Sequence, residues 1–175
     1  MARPMLITSW AEVVSQGCRW HAVPGGGPLE AKRGFPELRQ VVLDCINARL
    51  LAEFYRQLLG LSYRPGDEPP AAGEPDPAGQ DWLVLQDSAG TTRVAFQQVA
   101  ELPEATWPQG PVPQQLHLDL TVPTAAGLDA QHERALALGA RLLCDRSGDP
   151  EEPLRVYADP AGHPFCIFVV HSPVA

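Results

Sequence analysis

The chain has 175 residues, of which 45% are hydrophobic, and a formal net charge of -8. This length and apolar content predict one domain, or two closely associated half-domains, around a continuous core. The charge argues against a nucleic-acid partner, because binding to phosphates needs a basic patch and the longest basic run is the pair Lys32-Arg33.

The cysteines and the apolar runs predict a cytoplasmic protein with no membrane partner. The cysteines are widely and irregularly spaced, without a CxxC pair, which is typical of reduced thiols: Cys18, Cys45, Cys144 and Cys166. The N-terminus lacks the apolar core of a signal peptide. The longest apolar run, residues 165–170, is far too short to cross a bilayer.

Residues 1–36 form an N-terminal arm to which the sequence gives no defined role. The segment around Trp10, Val13 and Val14 is compatible with a short amphipathic helix, and a flexible "PGGGP" follows. Covering the domain, capping a dimer and disorder all remain open for this arm. The main domain is therefore expected over residues 37–171.

The first half of the main domain begins with a strand and a helix. The strand "LRQVVLDCIN" alternates between two faces, with Val41, Leu43 and Cys45 on one and Gln40, Val42 and Asp44 on the other. A helix then runs from an Asn47 cap to Gly60. Its apolar stripe consists of Leu50, Leu51, Phe54, Tyr55, Leu58 and Leu59.

A Pro, Gly and acid-rich segment, residues 64–80, follows this helix and is predicted to be a mobile loop. Two strands come next, "DWLVLQD" and "TRVAFQQV", separated by the turn-like "SAG". These segments identify a helix and three strands of the first half, about residues 37–104, to which we assign the same βαβββ order as the second half.

The second half, about residues 113–171, repeats this order. The strand "PQQLHLDLTVP" alternates polar with apolar side chains, and a helix runs from a Thr124 cap to Gly139. The segments "ARLLCD", "LRVYADP" and "HPFCIFVV" read as three further strands. The Leu-Asp pairs that end at Asp44 and Asp119 are 75 residues apart, a spacing that indicates a duplicated half-domain.

With this duplicated pattern, the sequence resembles the vicinal oxygen chelate superfamily, which includes glyoxalases, bleomycin-resistance proteins and extradiol dioxygenases. The resemblance lies in "VVLDCINARLLAEFYRQLLGL", "LHLDLTVPTAAGLDAQHERALALGA" and "YADPAGHPFCIFV", and it is closest to glyoxalase-like proteins of unassigned activity. It implies an α+β fold in which two βαβββ units form a cupped, incomplete barrel around a ligand. The resemblance does not identify a reaction, because this superfamily includes both enzymes and non-catalytic drug-binding proteins.

The resemblance also assigns the faces of the first strand in the second unit. Leu116, Leu118, Leu120 and Val122 then lie on the helix side. The polar floor of the cavity would consist of Gln40, Asp44, Gln115, His117 and Asp119.

A metal is not expected at the positions that the resemblance implies. Metal-dependent members place a His or Gln four residues before the positions of Asp44 and Asp119, and a Glu seven residues after the Asp of a "DPxG" turn. Those positions hold Gln40, Gln115 and Cys166 here. Two amides and a thiol form a poor set of ligands for a divalent ion, although His117 and Asp119 could coordinate in another arrangement. We therefore expect no metal and no cofactor.

The candidates for acid/base chemistry are His117, Asp119 and Asp44, each of which has a structural alternative. The carboxylates could act as general bases or could organise the sheet junction, and the histidine could be a proton shuttle or a satisfied core residue. Candidate ligand walls, which could equally be plain core, are Trp82, Phe96, Trp107, Tyr157 and Phe165. Cys166 is expected to be a buried apolar residue rather than a nucleophile.

These observations leave three functional hypotheses. The preferred one is a metal-free, cytoplasmic homodimer that binds a small apolar or aromatic metabolite or antibiotic in the cavity between its two units. The alternative is a metal-free lyase or isomerase in which His117 or Asp119 moves a proton. The third is a metal-dependent lyase or dioxygenase.

Overall fold

The structure is a computed structural model, and it describes residues 36–170 of the chain. The architecture below belongs to one compact unit that begins at Leu38. The expectations for the N-terminal arm fall almost entirely outside the described residues. No helix in the described range has the length and apolar character that a membrane span requires.

Two βαβββ units follow each other along the chain, as the sequence predicts. The first consists of β1 (Val41–Cys45), α1 (Ala48–Leu59), β2 (Ser62–Tyr63), a 3-10 turn (Ala78–Gln80), β3 (Trp82–Gln86) and β4 (Thr92–Gln98). The second consists of β5 (Leu118–Val122), α2 (Ala125–Ala137), β6 (Arg141–Arg146), β7 (Leu154–Ala158) and β8 (Pro164–Val169). The strand orders are β1-β4-β3-β2 and β5-β8-β7-β6, so the fold has two four-stranded sheets that do not close into a barrel.

Both helices begin and end as their sequences predict. The Asn47 side chain accepts a hydrogen bond from the Leu50 amide at 2.9 Å, and Thr124 accepts one from the Gly127 amide at 3.0 Å. Helix α1 ends at Gly60, whose φ of 66° is the left-handed conformation that favours glycine. The predicted apolar stripe of α1 is buried in its centre, whereas Leu50 and Leu59 at its edges are exposed.

The two units share one hydrophobic core, and α1 lies in the middle of it. Phe54 packs against Phe165 of β8, with ring centroids 5.9 Å apart, and Tyr55 stacks on Phe96 of β4 at 5.8 Å. One helix therefore contacts the inner faces of both sheets. The opposite face of each sheet, here called its open face, is directed away from this core.

A buried carboxylate joins α1 to the second unit. Asp159, in the turn between β7 and β8, is 2% exposed, and its Oδ2 accepts a hydrogen bond from the Tyr55 hydroxyl at 2.9 Å. Its Oδ1 accepts the Ala161 and His163 amides, and His163 Nδ1 lies 3.0 Å from Oδ2. Burial, followed by the charge of Asp159, raises the pKa of Tyr55, so this phenol remains a hydrogen-bond donor.

The repeat differs from the prediction in its register. The N-caps Asn47 and Thr124 lie 77 positions apart, and β1 and β5 begin with the same separation. Thr121 therefore has the position in the second unit that Asp44 has in the first. The prediction that Asp44 and Asp119 occupy equivalent positions is wrong. The interval of 75 comes from a Leu-Asp dipeptide that recurs two residues out of step.

The segment predicted as a mobile loop, residues 64–80, is tied to the fold through Arg49 of α1. The Arg49 guanidinium donates to both carboxylate oxygens of Asp76, at 2.8 and 2.9 Å, and to the Asp67 carbonyl at 2.7 Å. The Asp67 side chain is buried and accepts the Val84 amide at 2.8 Å. The acidic residues that suggested a solvated loop are thus the acceptors that fix it.

Replacing Tyr55 with Phe tests the contribution of the Asp159 contact. The variant keeps the aromatic packing but removes one donor from a buried carboxylate, so we expect the free energy of unfolding to fall by roughly 1–3 kcal/mol. Urea denaturation followed by circular dichroism measures it. The matched control is Tyr63→Phe, which removes a partly buried hydrogen bond to Glu53 and should cost less. Equal losses in the two variants would contradict a special role for Asp159.

Candidate functional site

The open face of the second sheet carries a row of four residues that runs across all its strands. Asp119 of β5 is paired with Cys166 of β8, which is opposite Val156 of β7, which is opposite Cys144 of β6. Residues directly opposite each other on neighbouring strands point to the same side of a sheet. One carboxylate and two thiols therefore lie on a surface that the core does not use.

A cavity of about 260 Å³ lies over this row. It is lined by Trp107, Gln114, His117, Cys144, Arg146, Leu154, Val156, Pro164 and Cys166. These residues come from the linker between the units and from the second unit. None of them belongs to the first unit, so the cavity is a feature of one half of the fold.

Trp107 reaches the cavity from a small loop that closes on itself. The amide of Thr106 donates to the Val112 carbonyl at 2.7 Å, and the Val112 amide donates to Thr106 Oγ1 at 3.1 Å. Gly110 within the loop has a φ of 140°, and a Cβ there would lie 2.3 Å from Thr106 Oγ1. Contacts within residues 106–112 therefore set the course of the backbone that carries this aromatic wall.

His117 and Asp119 form the polar end of the site. They are two residues apart at the start of β5, and Nε2 of His117 lies 3.4 Å from Oδ1 of Asp119. Their side chains are 45% and 57% exposed. One ligand atom from each of these residues and the Sγ of Cys166 lie within 4.8 Å of one another. The site thus brings together an imidazole, a carboxylate and a thiol.

The Cys166 thiol is not prepared for nucleophilic attack. Burial raises its pKa above the usual value, and the charge of Asp119 and a hydrogen bond to Asp119 raise it further. A nucleophilic cysteine needs the opposite, a nearby cation that favours the thiolate. The arrangement agrees with the prediction that Cys166 is not a nucleophile.

Gln114 lines the cavity and has a buried side-chain oxygen without a hydrogen-bond partner. Within residues 36–170, only two buried side-chain polar atoms lack a hydrogen-bond partner, Gln40 Oε1 and Gln114 Oε1. A buried acceptor without a donor costs on the order of 1–3 kcal/mol. A ligand that donates to Gln114 would recover part of this cost.

The structure places Gln115 outside the predicted cavity floor. Regular strand β5 begins at Leu118, and Gln115 lies in the bend before it, exposed, with its Nε2 donating to the Pro113 carbonyl at 3.3 Å. With the repeat in its observed register, the residue that matches Gln40 is His117. The prediction that Gln40 and Gln115 are equivalent is therefore wrong.

Three predicted aromatic walls lie in the core instead. Phe96, Tyr157 and Phe165 are fully buried, and Tyr157 stacks on Phe165 with centroids 5.1 Å apart. On β4 and β7, the residues that were predicted to face the cavity are the ones that face the core. On β7 the polar Arg155 faces inward with Tyr157, because its guanidinium donates to Asp145 at 3.0 Å and pairs with Asp129 at 2.9 Å.

The remaining predicted residues lie on the open face of the first sheet. Asp44 of β1, Gln97 of β4 and Trp82 of β3 form one row, in which Asp44 is exposed and Trp82 is half-buried. Gln40 precedes β1. None of them lines the cavity. Of the predicted site residues, the structure brings together His117, Asp119, Cys166 and Trp107.

Several cavity residues are missing from the sequence prediction. They are Gln114, Cys144, Arg146, Leu154, Val156 and Pro164. The alternation in "LRVYA" could have identified Leu154 and Val156. If Arg155 faces the core, these two residues lie together on the opposite face of the strand. Cys144 gave no such signal, because the register of β6 shifts between Leu142 and Cys144.

The predicted metal set of Gln40, Gln115 and Cys166 is not assembled in this structure, and the observed register gives the second position to His117, which lines the same cavity as Cys166. Gln115 is turned to solvent, and neither it nor Gln40 lines the cavity that contains Cys166. Amide oxygens with a thiol would also be a weak set for a divalent ion. No reaction step is therefore assigned to an ion held by these three residues.

Known proteins resemble this chain both in their sequence pattern and in their fold. A family model described as "Glyoxalase-like domain" matches residues 40–168. No curated protein matches the chain.

Solved structures share the architecture at low sequence identity. A glyoxalase/bleomycin resistance protein/dioxygenase family enzyme from Burkholderia phytofirmans is 18% identical with a TM-score of 0.56, and the match covers 77% of this chain and 99% of that one. The fosfomycin resistance protein FosX from Mesorhizobium loti is 13% identical with a TM-score of 0.54, over 78% and 94% of the two chains. FosX from Listeria monocytogenes is 14% identical with a TM-score of 0.55, over 78% and 95%. At these identities the similarity establishes the fold.

Replacing Asp119 with Asn tests how the carboxylate controls the thiol. Removing the negative charge should lower the pKa of Cys166, so its alkylation by iodoacetamide at pH 8 should become roughly threefold faster or more, since one pKa unit is about tenfold in thiolate. Mass spectrometry of the peptides measures each cysteine separately. Cys144, in the same cavity, is the internal control and should not respond. An unchanged rate at Cys166 would contradict the coupling.

Proposed function

The chain belongs to the glyoxalase-like domain family, and from this premise we propose that it binds a small apolar or aromatic molecule in the cavity of its second unit. The observation that carries the proposal is the composition of the cavity. Trp107, Leu154, Val156 and Pro164 supply apolar walls, and a few polar groups lie among them. Small-molecule sites have this character, because apolar contact supplies affinity and a few polar contacts supply orientation.

The size of the cavity limits the ligand. Its volume of about 260 Å³ lies just below the common range of roughly 300–1,000 Å³ for ligand sites. A small metabolite or a small antibiotic suits this space better than a large glycopeptide does. Two of the related structures are described as fosfomycin resistance proteins, so fosfomycin, a phosphonate anion, is a comparison compound of suitable size rather than a preferred ligand.

The polar groups suggest how such a ligand would be oriented. Gln114 lines the cavity and its buried Oε1 lacks a donor, so a rotation of this side chain would allow a hydroxyl or amine on the ligand to donate to it. Arg146 lines the cavity but forms an ion pair with Asp149, so its positive charge is partly compensated. A neutral ligand with one hydrogen-bond donor therefore fits better than an anion.

The proposal extends to the setting in which the ligand is bound. Binding of this kind requires no metal, because apolar contacts and Gln114 supply the interactions. Free thiols at Cys45, Cys144 and Cys166 support a reducing cytoplasm. A cavity lined from one unit only supports a homodimer, in which the open face of a second copy could cover it.

Filling the cavity should abolish binding. Val156→Phe places a larger side chain on its floor, so the affinity for any hit from a panel of small neutral aromatic metabolites should fall at least about tenfold. Trp107 lines the cavity, so quenching of tryptophan fluorescence and calorimetry report binding. The control is Val84→Phe, the matched position on β3 of the first sheet, which should retain binding. Unchanged affinity in folded Val156→Phe protein would contradict the proposal.

A second candidate function is proton transfer on the bound molecule, and the His117–Asp119 pair favours it. An imidazole whose Nε2 lies 3.4 Å from a carboxylate, at the edge of an apolar cavity, can accept a proton while the carboxylate stabilises the imidazolium. The reaction class would be a lyase or an isomerase. It would act on the same ligand as the binding function.

Turnover of the bound compound separates the two candidates. If the protein is an enzyme, His117→Ala and Asp119→Asn should lower kcat by roughly 10²–10⁴-fold, the usual contribution of general acid/base catalysis, and lower the affinity for the ligand far less. Thr121→Val, farther along the same strand, is the control. Chromatography of the ligand after prolonged incubation provides the assay. Stoichiometric binding with no product would reject the enzyme and leave the binding function.

A further inference from the structure

We propose that residues 105–116, here called the strap, form a movable cover over the cavity of the second unit. The strap would lift to let a small molecule enter and would close again on the bound molecule. The identity of that molecule rests on the proposed function, but the movement itself can be measured in the chain without a ligand. Access to the site would then depend on this segment.

The strap forms one side of the cavity. Trp107 and Gln114 belong to it, and the other lining residues, apart from His117 beside β5, belong to β6, β7 and β8. The cavity is therefore the space between the strap and the open face of the second sheet. A displacement of the strap would uncover the part of this face that contains Cys144 and Val156.

The strap is weakly attached to the sheet that it covers. Within residues 36–170, each of its hydrogen bonds joins two of its own residues, Thr106 with Val112 and Gln115 with Pro113. None of its residues is buried. Contacts of its cavity-lining side chains are then what holds it against the sheet. Segments with exposed backbone and few buried contacts open at a low cost in free energy.

Inside the strap, the backbone is stiff. Thr106 and Val112 form three hydrogen bonds with each other, at 2.7, 3.0 and 3.1 Å. Further backbone angles are fixed by Pro108, Pro111 and Pro113, because the proline ring locks φ. A segment that is stiff inside and weakly attached outside moves as one body, so its aromatic wall would move with it.

Both ends of the strap are fixed to the second unit. Before it, Glu104 lies directly on Gly162 of the turn between β7 and β8, where a Cβ would be 2.7 Å from Glu104 Cγ. The Glu104 carboxylate also accepts a hydrogen bond from Arg141 of β6 at 2.7 Å. After the strap, β5 begins at Leu118, which is paired with Phe165 of β8. The residues next to these two ends are therefore the hinges, where changes in φ and ψ allow the movement.

A bound molecule would stabilise the closed position. It would contact Trp107 and Gln114 only when the strap is closed, because these side chains line the cavity in that position. A ligand shifts a conformational equilibrium by the difference between its affinities for the two states. Packing against the indole of Trp107 would therefore favour closure most for a flat, aromatic ligand.

Reaction of the cysteines with a bulky reagent, fluorescein maleimide, measures the opening. Cys144 lies beneath the strap, whereas Cys45 is fully buried in the core, so its reaction reports unfolding of the domain. Mass spectrometry of peptides from the reduced full-length protein gives the rate at each cysteine. If the strap is open for about 0.1–10% of the time, Cys144 should react roughly 10–1,000-fold more slowly than a free cysteine peptide. It should still react much faster than Cys45.

A variant at one hinge tests whether the strap controls this reaction. Pro113→Gly frees the backbone at the end of the strap next to β5, so the reaction of Cys144 should become roughly two- to fivefold faster. The matched control is Pro70→Gly, an exposed proline in the first unit, which should leave the rate unchanged. Hydrogen exchange should show that the Thr106 and Val112 amides remain protected in Pro113→Gly, because the strap moves as one body.

Two outcomes would overturn the proposal. The first is reaction of Cys144 no faster than that of Cys45 in the native chain, because the cavity would then open only when the domain unfolds. The second is an unchanged rate in folded Pro113→Gly protein, because the strap would then not limit access. Circular dichroism verifies the fold of each variant, and the comparison of the two cysteines in the native chain needs no variant.

Added indole separates this proposal from the binding function. Indole is small, neutral and aromatic and carries one hydrogen-bond donor, so an excess of it should slow the reaction of Cys144 by holding the strap closed. A reaction that Pro113→Gly accelerates but indole does not slow would support the strap and contradict binding of such a ligand.

Discussion

The arrangement of the molecule depends on one buried hydrogen bond, from the Tyr55 hydroxyl to the Asp159 carboxylate. A carboxylate removed from water must find several donors, and Asp159 finds them in its own turn and in a helix from the other unit. This requirement fixes α1 between the two sheets. Both sheets then turn their inner faces to one core and their open faces outward.

The orientation of the open faces determines where chemistry can occur. Because α1 covers the inner face of the first sheet and α2 that of the second, the open faces are the ones left for a ligand, and Trp107 of the linker lines the cavity on one of them. The second sheet consequently carries a lined cavity with His117 and Cys166 at its polar end. The two halves share a topology, but the described cavity belongs to one of them.

Local patterns were sufficient to predict most of the fold. Alternation in "LRQVVLDCIN" and the capping side chains of Asn47 and Thr124 act within a few residues, so they can be read without knowledge of the remaining chain. The βαβββ order and the positions of both helices follow from them. His117, Asp119 and Cys166 became candidates through the positions that the family resemblance implies, and Trp107 as an aromatic residue that could line a pocket.

Properties that depend on distant partners could not be predicted in the same way. Arg155 faces inward because Asp129 and Asp145 meet it from α2 and β6, and the sequence of β7 alone suggests the reverse. The shift in β6 that exposes Cys144 to the cavity likewise depends on pairing with β7. The recurring Leu-Asp dipeptide was misleading, because a short sequence can recur at positions that are not equivalent in the fold.

The closed loop at residues 106–112 has a consequence for how this protein could diversify. Thr106 and Val112 bond to each other at its base, so the segment between them is a module attached to the sheet at one point. Its length and side chains can change without altering strand pairing or the shared core. Changes in this loop can thus alter the wall that Trp107 supplies, while the strands that supply Leu154, Val156 and Pro164 stay fixed.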